Sequence, residues 1–370
     1  MRVALIIPSF YPAIVYGGST FASYDLTKEA ANNGVDIWVS TTNANGDCRL
    51  EKETNTYLEQ DKFKVKYYNE QVIKYFSASM LFGLWKDIKS ADIVHLQAIF
   101  SYPTPLALLY SFLQNKKLLF SPRGSFSKWS FSKANLLKKT WINFLIKPFV
   151  KNITWHATSV KEQDEIKSLF PKAKVKTISD GTYVDSDCLD KKTELYLAAM
   201  GRLHPVKGYD ILIQALPEVL AKHPTIKLKI AGEDEGEKEH LLKLVQDLGL
   251  RNSVEFIGSV RGNAKTVFLQ RAKCLVMPSH TENFGIVAVE AMAQGTPVIA
   301  SKNTPWEAIE ERKAGFWIDN ESTIIAETII RLLAEKEEEL QKNASLLAKE
   351  YDWRHIAKQY QQVLEELCNE

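Results

Sequence analysis

The sequence predicts an α/β protein of two doubly wound, Rossmann-like halves facing a central cleft, and three observations carry that prediction. The chain has 370 residues, more than one core usually organises, so two domains of roughly 150 to 200 residues are expected. Short β-branched runs alternate with helical patterns from the first residue onward, which is the signature of parallel sheet. The alternation stops once, in the polar stretch DGTYVDSDCLDKKTE at 180–194, and then starts again.

In the first half the strands read VALIIPS, VDIWVST, DIVHLQA, KLLFS, ITWHATS and KVKTIS. Helices fall on STFASYDLTKEAANNG, MLFGLWKDIKSA and TPLALLYSFLQN, then on a long basic segment from about 134 to 151 and on 160–169. Gly34 stands where a C-terminal glycine belongs, and Ser159 with Glu162 forms a capping box for the last of these helices. In the second half LYLAAMG, IKLKIAG, VEFIGSV, KCLVMPS, TPVIAS and GFWID alternate with helices at 208–222, 236–248, 264–272, 284 onward and 305–313. The expected organisation is therefore a first domain over 1–180, a linker over 181–194, a second domain over 195–352, and a terminal helix over 353–370. Ligands of doubly wound sheets bind at the carboxyl ends of the strands, so the strand-to-helix loops are where chemistry is expected.

Composition narrows the class. The chain is 45% hydrophobic and 25% charged with a formal net charge of +2, ordinary values for a folded protein in water. Cys48, Cys188, Cys274 and Cys368 are far apart and form neither a metal-ligand spacing nor a disulfide framework. The opening MRVALIIPSFYP reads as a strand and its loop rather than a signal peptide. The most apolar later stretch, 93–113, contains His95, Gln97, Pro103 and Pro105, a poor membrane span. Charge is nevertheless unevenly placed. Between Asp92 and Glu162 there is no acidic residue but there are ten lysines and arginines, so that segment carries +10.

Several loops hold candidate functional groups. After LYLAAMG come Arg202 and Lys207, on a loop entering a helix. Helix amino termini present free N–H groups and partial positive charge, so two cations there suit a diphosphate, although ordinary loop cations are the bland alternative. Glu233, in the acidic loop EDEGE, reads as solvent-exposed or as a hydroxyl acceptor. In HTENFGIVAVEAMAQGTPVIAS the carboxylates of Glu282 and Glu290 bracket an apolar helix start. A carboxylate among Ile286, Val287, Val289 and Met292 needs a partner, because an unpartnered buried charge is expensive. A ribose diol would serve, and so would a buried lysine or backbone group. With a helix starting near Phe284, Glu290 lies about two turns in, displaced by about 10 Å from the loop carboxylate. In the first half Gly17 and Gly18 permit close backbone approach to phosphate or sugar. No GxGxxG or Walker loop is present, which counts against a dehydrogenase or P-loop NTPase. The DSD at 185–187 has the form of a metal-binding DxD but sits in the linker, and no metal is expected. His95 and His156 lie on strands, where core histidine is the default, with His95 kept as a cleft candidate.

Taken together, GRLHPVKGYDILIQAL, the Glu-x7-Glu pair in ENFGIVAVEAMAQGTPVIAS, the early YGGST loop and ATSVKEQDEIKSLFP resemble the retaining glycosyltransferases of GT-B fold (group 1) that include bacterial polysaccharide and lipopolysaccharide enzymes. The resemblance covers nearly the whole chain. It implies that Glu290 binds a nucleotide ribose, that Arg202 and Lys207 bind the diphosphate, and that Glu282 lies near the transferred sugar. The backbone around Phe284 and Gly285, flanked by Asn283 and Ile286, would contact sugar and phosphate, with Gly17, Gly18 and Glu233 also on the donor. Tyr16, His95 and Arg123 are acceptor-side candidates. Many members carry a histidine after the strand that here reads LLFSPRGSF, where this chain has Arg123. A guanidinium cannot act as a general base at physiological pH, so Arg123 would stabilise the departing diphosphate or position an anionic acceptor.

The implied reaction is transfer of a hexose or N-acetylhexosamine from a nucleotide diphosphate sugar, UDP first and GDP second, to a hydroxyl with retention. The sugar nucleotide is the co-substrate and no separate cofactor is expected. The segment SKWSFSKANLLKKTWINFLIKPFVK, 128–151, interleaves lysines with Trp129, Phe131, Trp141, Phe144 and Phe149, as on a surface resting on anionic lipid. A lipid-linked glycan acceptor at the inner face of a bacterial membrane, in cell-surface polysaccharide assembly such as capsule or O-antigen, fits that reading. Nucleic acid is not an expected partner. A nucleotide-sugar epimerase or hydrolase, or a non-catalytic carbohydrate-binding subunit on the same fold, are the alternatives.

Overall fold

The structure is a computed structural model that describes residues 1–127, 129, 136–184 and 194–370. The chain divides into two compact units: Met1–Gly181 with Trp353–Glu370, and Thr182–Asp352.

The first unit is built on an eight-stranded sheet. Its strands are β1 (Arg2–Ile6), β2 (Asp36–Thr42), β5 (Tyr57–Gln60), β6 (Phe63–Tyr68), β7 (Ile93–Gln97), β8 (Lys117–Ser121), β9 (Ile153–Ala157) and β10 (Lys174–Thr177), with a two-residue pair β3 (Ala44–Asn45) and β4 (Cys48–Arg49) apart from it. The spatial order is β10-β9-β8-β7-β1-β2-β6-β5, parallel except for the β5–β6 hairpin. Chain order therefore reverses beside β1, between β2 and β7, the crevice position of such sheets. The central strands β1, β7, β8 and β9 are buried on both faces, with helices α1 (Gly18–Asn32), α2 (Ala78–Lys89) and α3 (Pro103–Leu113) over the sheet, which is why they read as continuous apolar runs. The terminal helix Trp353–Asn369 belongs to this unit, packing on α1 and β7, with Lys176 paired to Glu366 at 2.6 Å.

Two features of this unit differ from the sequence reading. The β5–β6 hairpin, YLEQDKFKVKYY, is absent from it, because its turn residue Asp61 takes a positive φ of 51° without a glycine to announce it. The single basic helix expected over 134–151 is instead an α-turn at Leu136–Trp141, a π-helical stretch at Ile142–Ile146 and a 3-10 stretch at Lys147–Asn152. Pro148 has no N–H to continue an α-helical ladder, which accounts for the change of winding.

The second unit carries six parallel strands: β11 (Tyr196–Met200), β12 (Lys227–Ala231), β13 (Val254–Gly258), β14 (Cys274–Met277), β15 (Val298–Ser301) and β16 (Gly315–Ile318), in the order β13-β12-β11-β14-β15-β16. Its switch point lies between β11 and β14. Apolar clusters cover both faces of the sheet, one including Leu212, Leu228 and Ile325, the other Leu275, Val289 and Trp306. The expected linker falls mostly on residues outside the described ones, as do the DSD tripeptide, Phe131 and Cys188.

Candidate functional site

In the second unit the loops after β11 and β14 emerge side by side at the switch point. The β11 loop runs from Gly201 through a 3-10 turn at Pro205–Lys207 to Gly208, which caps helix Tyr209–Lys222. Gly208 is required twice over: its φ is +64°, and a Cβ there would meet the Pro278 carbonyl oxygen. The two loops are joined by the His280 N–H donating to the Val206 carbonyl at 2.8 Å, and the Asn320 side chain donates to Pro278 at 2.7 Å.

This close approach brings Lys207 and Glu282 together. Lys207 Nζ donates to Glu282 Oε1 at 2.5 Å, and Ser279 Oγ donates to the same oxygen at 2.8 Å. Both charged side chains are mostly buried, at 17% and 13% exposure. Arg202, on the same loop, is half-exposed and grips both oxygens of Glu235 at 2.6 and 2.7 Å. Glu233 pairs with Arg261 at 2.6 Å on the surface. Thus each cation expected to meet a diphosphate is matched here with a carboxylate, Glu235 or Glu282.

The helix that follows starts later than the sequence suggests. It spans Ile286–Ala293, capped by Gly285 in the left-handed conformation at φ 79° and ψ 58°. Glu290 is therefore the fifth helical residue, about 6 Å along the axis rather than two turns in. Every residue from Val287 to Ala293 except Glu290 is buried. Its partner is a lysine: Lys265 Nζ, from helix Gly262–Arg271, donates to Glu290 Oε1 at 2.5 Å. The protein itself thus meets the need that the sequence posed for Glu290.

Sequence reasoning passed over two further groups of this site. Tyr209 and Trp306 are buried, yet neither Tyr209 Oη nor Trp306 Nε1 has a hydrogen-bond partner. Tyr209 Oη lies 3.0 Å from where a Gly201 Cβ would be, and Trp306 Nε1 3.2 Å from a Cβ at Gly285. Burial, with the Glu282 charge added, pushes the Tyr209 phenol far above its ordinary pKa, so it stays a neutral O–H donor. Both look like ordinary core aromatics in sequence, and only three-dimensional placement distinguishes them.

In the first unit Gly17 has φ 73° and leads into α1 at Gly18. Tyr16 accepts a hydrogen bond from the Gly46 N–H at 3.0 Å and packs against Tyr75. Arg123, after β8, also has a positive φ of 54°. Its Nη1 donates to Asp180 at 2.5 Å, its Nε reaches Gln97 at 3.3 Å, and its Nη2 is buried with no hydrogen-bond partner. Glu162 holds this loop in place. Its carboxylate accepts from the Gly124 N–H at 2.6 Å and from the Thr158 N–H and hydroxyl, while Ser159 caps the Glu162 N–H as expected.

His95, named as an acceptor-side candidate, is enclosed within the first unit. It is 1% exposed inside β7, with Nδ1 at 2.8 Å from Tyr360 Oη and Nε2 at 2.8 Å from Ser121 Oγ. The row continues through Ser121 Oγ to His156 Nδ1 at 2.7 Å, and His156 Nε2 lies 2.9 Å from the Ile178 carbonyl. That carbonyl can only accept, so the polarity of the whole row follows. His156 donates to it, Ser121 donates to His156, His95 donates to Ser121, and Tyr360 donates to His95. This direction holds with both imidazoles neutral, and burial keeps them so, lowering His156 to about 4 and His95 well below its ordinary value; Arg123 adds to both shifts, and His156 adds to that of His95. The row fastens the terminal helix to three strands, a structural use of the histidine.

Comparison with known proteins agrees with this architecture. Residues 187–351 match the family model described as glycosyl transferases group 1. An uncharacterized glycosyltransferase of Methanocaldococcus jannaschii is 37% identical over 46% of this chain and 44% of its own length, so the chain spans less than half of that relative. The GDP-mannose:cellobiosyl-diphosphopolyprenol alpha-mannosyltransferase of Xanthomonas campestris is 28% identical over 74% of this chain and 73% of its own. Among solved structures, Anabaena HepE in complex with UDP superimposes with a TM-score of 0.78 at 21% identity, covering 99% of this chain and 100% of that one. The last likeness shows the fold, which is GT-B: α/β, with two Rossmann-like domains.

Proposed function

We propose, from the match of residues 187–351 to the glycosyl transferases group 1 family model, that the protein transfers a sugar from a nucleoside diphosphate sugar to a hydroxyl of a glycan, with retention at the anomeric carbon. The observation that carries the proposal is the pair of Lys207 and Glu282 at the switch point, flanked by Arg202 and by the Gly285-capped start of helix Ile286–Ala293. Binding of a diphosphate would set its oxygens in competition with Glu235 for Arg202 and with Glu282 for Lys207, freeing Glu282 for the transferred sugar. As the glycosidic bond breaks, charge accumulates on the diphosphate, and fixed cations with helix-end amides favour that state more than the ground state. The two cations supply the charge that a metal ion would otherwise bring. Tyr209 Oη is a further donor at the same corner. Glu290, tied to Lys265 through one oxygen, keeps its other oxygen for a ribose diol, with Asn283, Phe284 and Ile286 around the sugar and phosphate.

The glycan acceptor is assigned to the first unit, where Arg123 Nη2 is an unused buried donor fit for an anionic group and where Tyr16, Gly17 and Gly18 line the loop after β1. The Xanthomonas relative is named for a diphosphopolyprenol acceptor and GDP-mannose, which supports a lipid-diphosphate-linked acceptor here and makes GDP the rival to UDP. Peripheral contact with the inner face of a bacterial membrane through 128–151 accompanies that reading. No helix among the described residues is long and apolar enough to cross a membrane.

The test is incubation of UDP- and GDP-sugars with a lipid-diphosphate-linked glycan, followed by NMR of the new anomeric centre. A product of retained configuration is expected. Donor consumption without acceptor would point to a hydrolase or epimerase, and nucleotide binding without any turnover to a non-catalytic subunit.

A further inference from the structure

The exposed apolar side chains of the first unit are only partly those of the basic segment. In 128–151 Trp141 is half-buried and donates to the Ile99 carbonyl at 3.0 Å, Phe149 packs against Phe112, and Leu136, Leu137 and Phe144 stand well out, at 80%, 73% and 73% exposed. A second apolar surface is on α2 and α3. Phe82 and Trp85, one turn apart on α2, are 79% and 39% exposed, and Leu109, Phe112 and Leu113, one turn apart on α3, are 41%, 53% and 59% exposed. These helices are neighbours. Trp85 meets Tyr110 edge-on at 5.3 Å, Tyr110 donates to the Leu81 carbonyl, and Gln114 donates to the Trp85 carbonyl. The core-facing sides, Met80, Leu84 and Ile88 on α2 with Ala107 and Leu108 on α3, are fully buried, so the exposed rows are a second, outward apolar face.

Lysines predominate among the charges around that face. Lys86 and Lys89 lie on α2, Lys116 and Lys117 follow α3, and Lys147 and Lys151 lie on the 3-10 stretch that packs against α3. From Gln71 to Lys161 the sequence holds two acidic residues. Asp87 is 4% exposed and accepts from Lys66, Tyr68 and Ser40, while Asp92, which accepts the Arg2 backbone N–H, is exposed, and Glu370 at the end of the terminal helix lies within electrostatic reach of Lys117. An apolar face rimmed mainly by lysines matches an anionic lipid surface: the rings enter the headgroup region while the lysines meet its charge. A second copy of the chain would set these lysines against each other, which charge disfavours.

We propose that the outward face of α2 and α3 is a membrane-docking surface for anionic phospholipid, with Phe82, Trp85 and Phe112 as its inserting groups and 136–152 as its basic flank. This deepens the membrane reading above and rests on it, while being independent of the sugar transferred. The experiment is co-sedimentation of the full chain with vesicles of phosphatidylcholine alone and of phosphatidylcholine mixed with phosphatidylglycerol, at low and high salt. Binding to the mixed vesicles, lost in high salt, is expected. Phe82→Ser with Phe112→Ser should weaken it by at least about tenfold, since two exposed aromatic rings no longer leave water. Lys86→Gln with Lys89→Gln should weaken it by about thirtyfold, at a factor of about five for each lysine near such a surface. All four side chains are exposed, so unchanged thermal unfolding of the variants verifies that the fold is intact. The proposal is overturned if mixed vesicles bind both double variants as they bind the parent; loss of binding in Lys147→Gln with Lys151→Gln alone would then leave contact through 128–151 standing without this face. Absence of vesicle binding overturns both, and if the parent instead dimerises and Phe82→Ser with Phe112→Ser prevents it, the face belongs to a second copy.

Discussion

The two sheets handle polar side chains in opposite ways. The six-stranded sheet buries no polar side chain within its strands except Ser301, at the end of β15, and gathers charge beyond their carboxyl ends, where Arg202, Lys207 and Glu282 each hold a partner that a ligand could displace. The eight-stranded sheet buries polar groups within the strands themselves: Ser40, His95, Gln97, Ser121, Thr154 and His156 are all under 9% exposed. There the hydrogen bonds of His95, Ser121 and His156 close within the protein, while Arg123 Nη2 and Trp155 Nε1 are buried donors without a partner. The contrast teaches that a charged group matters for ligand binding when its present partner is replaceable, and that a titratable group on a strand is not a ligand group merely because its strand leads to a site.

The largest expected effect breaks the closed network of the first unit. Asp180→Ala leaves the Arg123 guanidinium, 9% exposed, without its counter-charge and should destabilise the protein by about 3–5 kcal/mol, read as a lowered denaturation midpoint. Lys207→Ala tests the opposite unit. It should reduce kcat by about a hundredfold to a thousandfold, because the lysine's proposed work is in the transition state, and lower stability less than Asp180→Ala does, since Glu282 keeps the Ser279 hydroxyl as a donor. If instead Lys207→Ala unfolds the protein while Asp180→Ala is silent, the contrast between the units is reversed.

A third prediction concerns pH. His156 has its pKa lowered from 6.5 to about 4 in the folded state, so between these values the unfolded chain takes up a proton that the folded one does not. Stability is thus fully present above about pH 6.5 and declines as the pH falls toward 4, by up to about 3 kcal/mol for this group alone. His156→Gln should flatten that part of the profile in chemical denaturation. Tyr360→Phe removes one end of the same row and should lower stability by about 1–3 kcal/mol, leaving His95 Nδ1 buried without its donor. The smallest effect on stability is expected of Arg202→Ala, within about 0.5 kcal/mol, since its pair with Glu235 is exposed, even though nucleotide affinity should fall.

Much of this was legible in the sequence, for identifiable reasons. Parallel strands buried on both faces announce themselves as apolar runs, and Lys207 and Glu282 announce themselves by following two such runs directly. The β5–β6 hairpin was hidden by a turn that uses Asp61 in place of glycine. The basic segment read as one helix because its periodicity is helical, whereas Pro148 forces a change of winding that periodicity does not register. Glu290 posed a question that sequence could not close, since its partner Lys265 is 25 residues away on another helix. Tyr209 and Trp306 were invisible as site residues because an unpartnered hydroxyl or indole N–H is a property of packing and not of residue type.

The central claim is that the switch point of the second unit binds a nucleoside diphosphate, and calorimetric titration of UDP and GDP into the parent protein, Lys207→Ala and Glu290→Ala tests it most directly. The account predicts binding of one nucleotide, weakened at least about tenfold by each substitution, as loss of a charge-assisted contact implies. Failure of both nucleotides to bind, or equal binding by all three proteins, would contradict it and leave Lys207–Glu282 and Lys265–Glu290 as structural ion pairs.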